Sequence, residues 1–365
     1  MQNELREIDQ ALRRELLRFD LSRVVTPTNR EEARQAFLSP RRGCGRRDPV
    51  FEYDRNTLAD RGDLPRLPLD GVNAPEGILE LYGRKEEELA ALAGLLESRG
   101  TETFPRWSVD LFGAPAAEQA ALAEARLESL ADISPPEKTR NARELADRLE
   151  ARLARFSLDF AVELDPDMFT KIMVNAAAKR IRLKGGMLFS VEEIDRLVVH
   201  EVDVHALRIL NGTKSGLGIF ALGTAGYREA EEGTAVYFEQ KTGHLYPWQE
   251  KMYAGRCLAV HLGLSTGFGD VFDALLPYFD VETAYYLAER TKRGLGDTSL
   301  PGALTKEFHY FTGPTKVESY VEGGGDLGLL WSGKIGFDDL PIVETLIAEG
   351  MMEPSSWTIP WERER

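Results

Sequence analysis

Two histidines and a glutamate within one short stretch are the part of this sequence equipped for chemistry. His200-Glu201-Val202-Asp203-Val204-His205 has the composition of H-E-x-x-H, the helical zinc motif in which both histidines share a face and the glutamate acts as general base. Here the gap is one residue longer. At about 100° per residue, positions 200 and 205 of a regular α-helix lie roughly 140° apart, too far for one ion. A π-turn between them, with about 4.4 residues per turn, cuts the offset to roughly 50°. The spacing is therefore either a metal pair on a locally bulged helix or two solvated histidines.

A catalytic zinc keeps three protein ligands and one open position. The downstream run Arg228-Glu229-Ala230-Glu231-Glu232-Gly233-Thr234-Ala235 opens a second helix with acids. Gly233 and Ala235 are small enough for this helix to pack close against the first, which would bring Glu231 or Glu232 to the histidines. The same acids also suit any helix N-terminus, where the macrodipole favours them.

The elements that must position these groups are legible around them. Ser190 and Glu193 have the spacing of a capping box, and Phe189 with Ile194 that of a hydrophobic staple. An apolar-rich run, residues 194–199, carries the helix into the histidines, and Asn211-Gly212 supplies a stop. Before this helix the periodicity is two. Residues 157–164 alternate as a strand, 172–174 continue the sheet, and Arg180-Ile181-Arg182-Leu183-Lys184 alternates basic with apolar. Read as an edge strand, 180–184 would accept a substrate peptide as an added strand, with Arg182 facing it. Outward basic side chains also protect an edge from aggregation, and the two roles are compatible.

In these motifs the chain resembles the tyrosine carboxypeptidase family. Its eukaryotic members are microtubule-associated, and its bacterial members are called flavohaemoglobin expression-modulating proteins with a QEGLA motif. The resemblance rests on His200-Glu201-x-x-x-His205, Asn211, and Glu231-Glu232-Gly233-x-Ala235. It continues in Thr291-Lys292-Arg293-Gly294-x-x-Asp297-Thr298-Ser299-x-Pro301-Gly302, Lys306 and Tyr310. It covers roughly residues 150–340. Glu231 stands where bacterial members often have Gln, and Thr234 where Leu is usual; neither change removes a ligand.

The resemblance implies a predominantly helical α+β fold with a zincin-like, gluzincin-type core and one Zn²⁺ per chain. His200, His205 and Glu232 would be its ligands and Glu201 the catalytic base. Glu231 would accept from a ligating imidazole, and Tyr310 would donate to the oxyanion. The substrate would be a peptide or protein C-terminus, aromatic last residues included. Its α-carboxylate needs a cation, for which Lys292 and Arg293 are the candidates, Arg by bidentate contact; an ion pair of either with Asp297 would instead hold a loop. Asp203 is expected on the helix surface rather than on the metal. A regulatory protein with a structural zinc, or a zinc hydrolase of another amide, would share most of these residues. The retained Glu201 favours hydrolysis, since a purely structural site has no use for a base.

Composition bounds the rest. With 365 residues, 43% hydrophobic and 29% charged, the chain has the make-up of a soluble globular protein with a sizeable core. A formal net charge of −15 argues against nucleic acid and anionic membrane as partners, and against the acidic tubulin tails of the eukaryotic relatives. Cys44 and Cys257 are the only cysteines, too few for a disulfide framework. No apolar run approaches the roughly 20 residues that span a bilayer, and the N-terminus shows no secretory h-region. The expected location is cytoplasmic.

Helical patterns occupy residues 1–25, 30–37, 77–99, 116–131 and 136–156, and a soft boundary near 150 separates an N-terminal helical region (1–150) from a catalytic domain (151–365). A loop at 39–49 gathers four arginines around Cys44. Further helices are expected at 251–264, 271–279, 283–289 and 337–349, followed by a tail with Trp357 and Trp361. His244, His261 and His309 fall outside the motif and are expected to be structural or exposed.

Overall fold

The computed structural model describes residues 2–39, 47–54 and 66–353. The arginine loop with Cys44 and the tail with Trp357 and Trp361 fall outside the described residues.

An amphipathic helix α1 (Gln2–Arg18) and a short α2 (Leu21–Val24) lead to α3 (Arg30–Leu38). Asn29, at the N-cap of α3, makes no side-chain cap bond; it accepts from Glu52 N and donates to Val50 O, which ties the 47–54 segment down. Helices α4 (Glu76–Glu97), α5 (Phe104–Phe112), α6 (Ala117–Ser129) and α7 (Ala142–Arg155) follow. Helix α5 was not legible as a separate element. Its Phe104 and Phe112 join Leu92, Leu95, Leu96, Leu295 and Leu304 in one cluster, so tertiary burial rather than local pattern sustains it. The start expected at 136 is delayed to Ala142, where Asn141 and Glu144 form a complete capping box.

Among the described residues there are five short strands: β1 (Arg140–Asn141), β2 (Ala161–Asp165), β3 (Ile172–Asn175), β4 (Arg180–Lys184) and β5 (Leu188–Phe189). β1 pairs with β5, and the main sheet has the order β2-β4-β3, with β4 parallel to β2 and antiparallel to β3. The basic strand β4 is thus central. The expectation that 180–184 is an edge is corrected: Ile181 and Leu183 are fully buried in a cluster with α7 and the histidine helix, and β2 and β3 are the edges.

The chain then enters α8 (Val191–Val198), a π-helical segment (Val199–Ala206) and α9 (Leu207–Lys214) as one continuous rod. Ser190 Oγ accepts from Glu193 N, as the capping box requires. The reciprocal half is missing, because the Glu193 carboxylate turns to Lys171. Phe189 and Ile194 are buried in one cluster, as the staple predicts. The helix does not stop at Asn211-Gly212. Asn211 Nδ2 donates to Trp331 O at 2.7 Å, and a Cβ on Gly212 would lie 2.2 Å from Phe220 O. This glycine admits a crossing backbone rather than ending a helix.

The remaining helices are α10 (Ile219–Leu222), α11 (Arg228–Lys241), α12 (Pro247–Gly263), α13 (Phe268–Leu275), α14 (Val281–Lys292), α15 (His309–Glu322), α16 (Leu327–Trp331) and α17 (Leu340–Ala348). The fold is predominantly helical with small sheets, within the α+β class. One core joins Leu5, Ile8 and Leu12 of α1 to Phe238, Trp331 and Val343. A second joins Phe37, Ala123 and Leu127 to α12–α14. Both draw on residues before and after position 150.

Candidate active site

The π segment is where the added residue goes. Leu207 N–H donates to Val202 O, five residues back, and all eight residues of the segment are buried. Val202 packs into the sheet-side cluster and Val204 into the cluster around α11. Opposed burial of these neighbours locks the wider turn, and both imidazoles project to one side. Their ring centroids stand 4.7 Å apart at 89°.

Glu232, in the first turns of α11, meets them. His200 Nε2 lies 3.4 Å and His205 Nε2 3.8 Å from Glu232 Oε2, and one ligand atom from each residue lies within 4.8 Å of the others. A tetrahedral ion with bonds of about 2.0–2.1 Å spaces its donors about 3.3–3.4 Å apart. Glu232 Oε2 is moreover buried without a hydrogen-bond partner, a costly state for a carboxylate oxygen unless a cation faces it. The donor set fits a divalent metal.

Both imidazoles are backed by a carboxylate. His200 Nδ1 is 2.6 Å from Glu239 Oε1. Glu239, fully buried, also accepts from Arg196 at 2.7 Å and from Tyr253 at 3.2 Å. Burial alone would lower the His200 pKa, but Glu232 and Glu239 outweigh it and raise it to about 10. On the other side, His205 Nδ1 lies 2.8 Å from Glu231 Oε1 without hydrogen-bond alignment. Glu231 is fixed by Arg208 and by Lys334 at 3.2 Å. Glu239 was missed in the sequence. The signal was its place seven residues, about two turns, after Glu232 on α11, which sets both on one face.

Glu201 is buried at 6% exposure. Burial raises its pKa, His200 and His205 pull it down, and Glu232 pushes it up, leaving it above the ordinary range. Asp203, expected at the surface, is buried instead. Its carboxylate takes both arms of Arg152 at 2.7 Å, and it belongs to the packing behind the helix.

Two cavities meet at this point. A larger one, about 590 Å³, extends past Tyr246, Trp248, Met252 and Tyr253. A smaller one, about 250 Å³, runs along β3 between Met173 and Asn175 toward α1 and α2. His200, Glu201, Thr170, Ile172, Arg290 and Tyr310 line both. Tyr310 stacks 6.2 Å from the His200 ring and 5.3 Å from Tyr253.

The cations named from sequence lie elsewhere. Lys292 lines neither cavity. Its ammonium donates to the carbonyls of Gly263, Thr266, Leu300 and Gly302, and burial lowers it to about 8. Arg293 is fully buried against Glu307 at 3.1 Å and lies 4.2 Å from the centre of the Phe169 ring. Asp297 pairs with neither; it caps Ser299. Arg182 is engaged by Asp20 at 2.9 Å and Asp165 at 3.4 Å. The cations that do line the larger cavity include Arg256 and Arg290. Arg256 lies 4.7 Å from the centre of the Tyr310 ring and has a buried Nε without a partner. Arg290 binds Glu307. Lys306 lines the smaller cavity, its ammonium pushed down to about 7 by burial against the pull of Glu307.

Gly233 departs from its expected part as well. A Cβ there would lie 2.6 Å from the backbone of Gly313, so it admits close approach of α15, not of the histidine helix.

Of the other histidines, His244 bonds Thr242 at 2.8 Å. His309 is buried with its pKa lowered by burial to about 4.

The family model for microtubule-associated tyrosine carboxypeptidase matches residues 40–365. Microtubule-associated tyrosine carboxypeptidase 1 of Rattus norvegicus is 26% identical over 209 residues, 53% of this chain and 42% of that protein. The protein of the same name from Homo sapiens is 26% identical over 196 residues, 50% of this chain and 40% of that one. The chain spans about two fifths of the length of these curated relatives.

Proposed function

Since the chain belongs to the microtubule-associated tyrosine carboxypeptidase family, we propose that it is a zinc-dependent carboxypeptidase-like hydrolase that removes the last residue of a peptide or protein chain. The observation that carries this reading is the convergence of His200, His205 and Glu232 beside a buried Glu201 in an open cleft. In this reading the core is zincin-like, with the π-bulged helix as its metal helix and Glu232 as the distant third ligand.

Zinc held by His200, His205 and Glu232 would supply a Lewis acid for the scissile carbonyl and a water of lowered pKa. The protein's own groups do the rest. Glu201 accepts a proton from the attacking water and delivers it to the departing amine. The Tyr310 hydroxyl, on a ring stacked over His200, donates to the developing oxyanion. Glu239 and Glu231 hold the two imidazoles in place.

β3 is an edge strand of its sheet and the one that lines both cavities, which supports a substrate laid along it as an added strand. Antiparallel pairing would run the peptide from the smaller cavity to the larger. The C-terminal side chain would then rest among Tyr246, Trp248 and Met252, a lining suited to an apolar or aromatic residue. Its carboxylate would meet Arg256 and Arg290 rather than Lys292 and Arg293.

The test uses zinc-loaded protein, a peptide library and mass spectrometry with and without chelator. Chelator-sensitive loss of single C-terminal residues is expected. Peptides unchanged by the zinc-loaded protein would refute hydrolysis, and internal cleavage would refute the carboxypeptidase assignment.

A further inference from the structure

The smaller cavity has a wall that neither the motif nor the family match includes. Leu16, Phe19, Asp20 and Ser22, at the elbow where α1 turns into α2, face Met173–Asn175 of β3 across it. These residues precede position 40, where the family match begins.

The elbow is fastened to the hairpin it faces. Arg13 Nε donates to Ala177 O at 2.8 Å, beyond the end of β3. Asp20 Oδ2 accepts from Arg182 of β4 at 2.9 Å, while Asp20 Oδ1 accepts from Arg23 N at 3.1 Å and starts α2. Farther back, Asp9 Oδ2 accepts from Gly218 N at 2.7 Å, and Ile8 and Leu12 are fully buried. The wall is thereby rigid relative to the strand, and a rigid wall discriminates because a poorly fitting group cannot push it aside.

We propose that the α1–α2 elbow selects the residues immediately upstream of the scissile bond. The inference rests on the reading of the cleft as a peptide track. With Leu16, Phe19, Met173 and Val174 around a space of about 250 Å³, the track takes one or two apolar side chains of moderate size. Charged residues of other elements, Arg228, Glu232 and Lys306 among them, also line this cavity, so the elbow selects by size and apolar contact, its Asp20 being committed to Arg182. Arg182, expected to face substrate, acts one step back by holding Asp20.

The experiment measures binding, so that it does not depend on turnover. Peptides share one C-terminal residue and carry Gly, Ala, Leu, Phe or Glu at the two preceding positions. Each is titrated calorimetrically into the zinc-loaded full chain carrying Glu201→Gln, alone and combined with Ser22→Trp or Leu16→Ala. Ser22→Trp fills the track and should weaken the Leu and Phe peptides about tenfold or more relative to the Gly peptide. Leu16→Ala widens the track and should shift preference toward Phe. Equal weakening of all peptides, or none, would overturn the inference, as would an absence of peptide binding to the Glu201→Gln protein. If Ser22→Trp does not fold, Leu16→Ala decides alone. Peptides bound selectively but never cleaved by the unmutated protein would sink the hydrolase reading and leave the elbow's role intact.

Discussion

Glu201 has two properties a general base needs: it lies beside the convergent donors, and its burial lifts the carboxyl above the ordinary range. Glu201→Gln keeps the shape and removes the carboxylate that the proposed mechanism uses as its base. Zinc content by elemental analysis should be unchanged while peptide hydrolysis falls about 10²–10⁴-fold; unaltered turnover would reassign the base. Glu232→Ala, by contrast, should lower bound zinc itself, and an unchanged stoichiometry would exclude Glu232 as a ligand. Glu239→Gln should weaken zinc binding about 10–100-fold in chelator competition, because His200 loses the acceptor that orients it. His200 also sets a pH dependence. Its imidazolium is favoured up to about 10 in the metal-free protein, so zinc must displace a proton. Apparent affinity should then rise with pH, roughly tenfold per unit for each proton displaced below that value. A flat profile between pH 6 and 8 would show that binding displaces no proton from His200.

The element that makes the site possible is the π segment, and it depends on what surrounds it. An isolated chain has little reason to prefer i→i+5 bonds. Here Val202 and Val204 are claimed by different clusters on opposite sides of the rod, and Asp203 is clamped by Arg152. The second essential contact is Gly233 on Gly313. Gly233→Ala would drive a methyl into the α15 backbone, destabilising the protein by about 1–3 kcal/mol and moving Glu232 off its position. Thermal unfolding should report the first effect and weaker zinc retention the second. A stable variant with full zinc would mean that α11 can shift without carrying its ligand along. In the sequence, the small residue at 233 was recognised and its partner was not, because a glycine announces close approach without naming the helix that approaches.

At the scale of the whole molecule, one of the buried charge clusters gathers around Glu307, which faces Arg290, Arg293, Arg256 and Lys306. Burial opposes its ionisation, and these cations hold its carboxyl below the ordinary range. The sign follows from that depression. The stabilisation is complete above the unfolded-state carboxyl pKa of about 4.3 and is lost as pH falls below it. Glu307→Gln should cost about 3–5 kcal/mol at neutral pH by stranding buried guanidinium groups. It should also flatten the acid limb of a stability–pH profile measured by denaturant unfolding. Lys292→Met separates structure from substrate in the same way. Four carbonyls lose their donor, so stability should drop while KM for peptides stays constant; a raised KM would restore Lys292 as a substrate ligand.

Much of the site was readable from the chain because it is written locally. His200, Glu201 and His205 share one helix, their spacing calls for a bulge, and the acid-rich start of a later helix offers Glu231 or Glu232, between which the family resemblance chooses Glu232. Most helices and the three strands of the main sheet were legible for the same reason, since burial periodicity is a property of neighbours in sequence. What faces what was not. The basic strand became central rather than an edge, Lys292 and Arg293 turned inward to carbonyls and Glu307, and Glu239 emerged as the support of His200. Each of these depends on contacts between residues far apart in sequence. The side chains that types and spacing make available were fixed by the chain alone; their charge partners were decided by packing, because a buried cation takes the acceptor that folding places beside it.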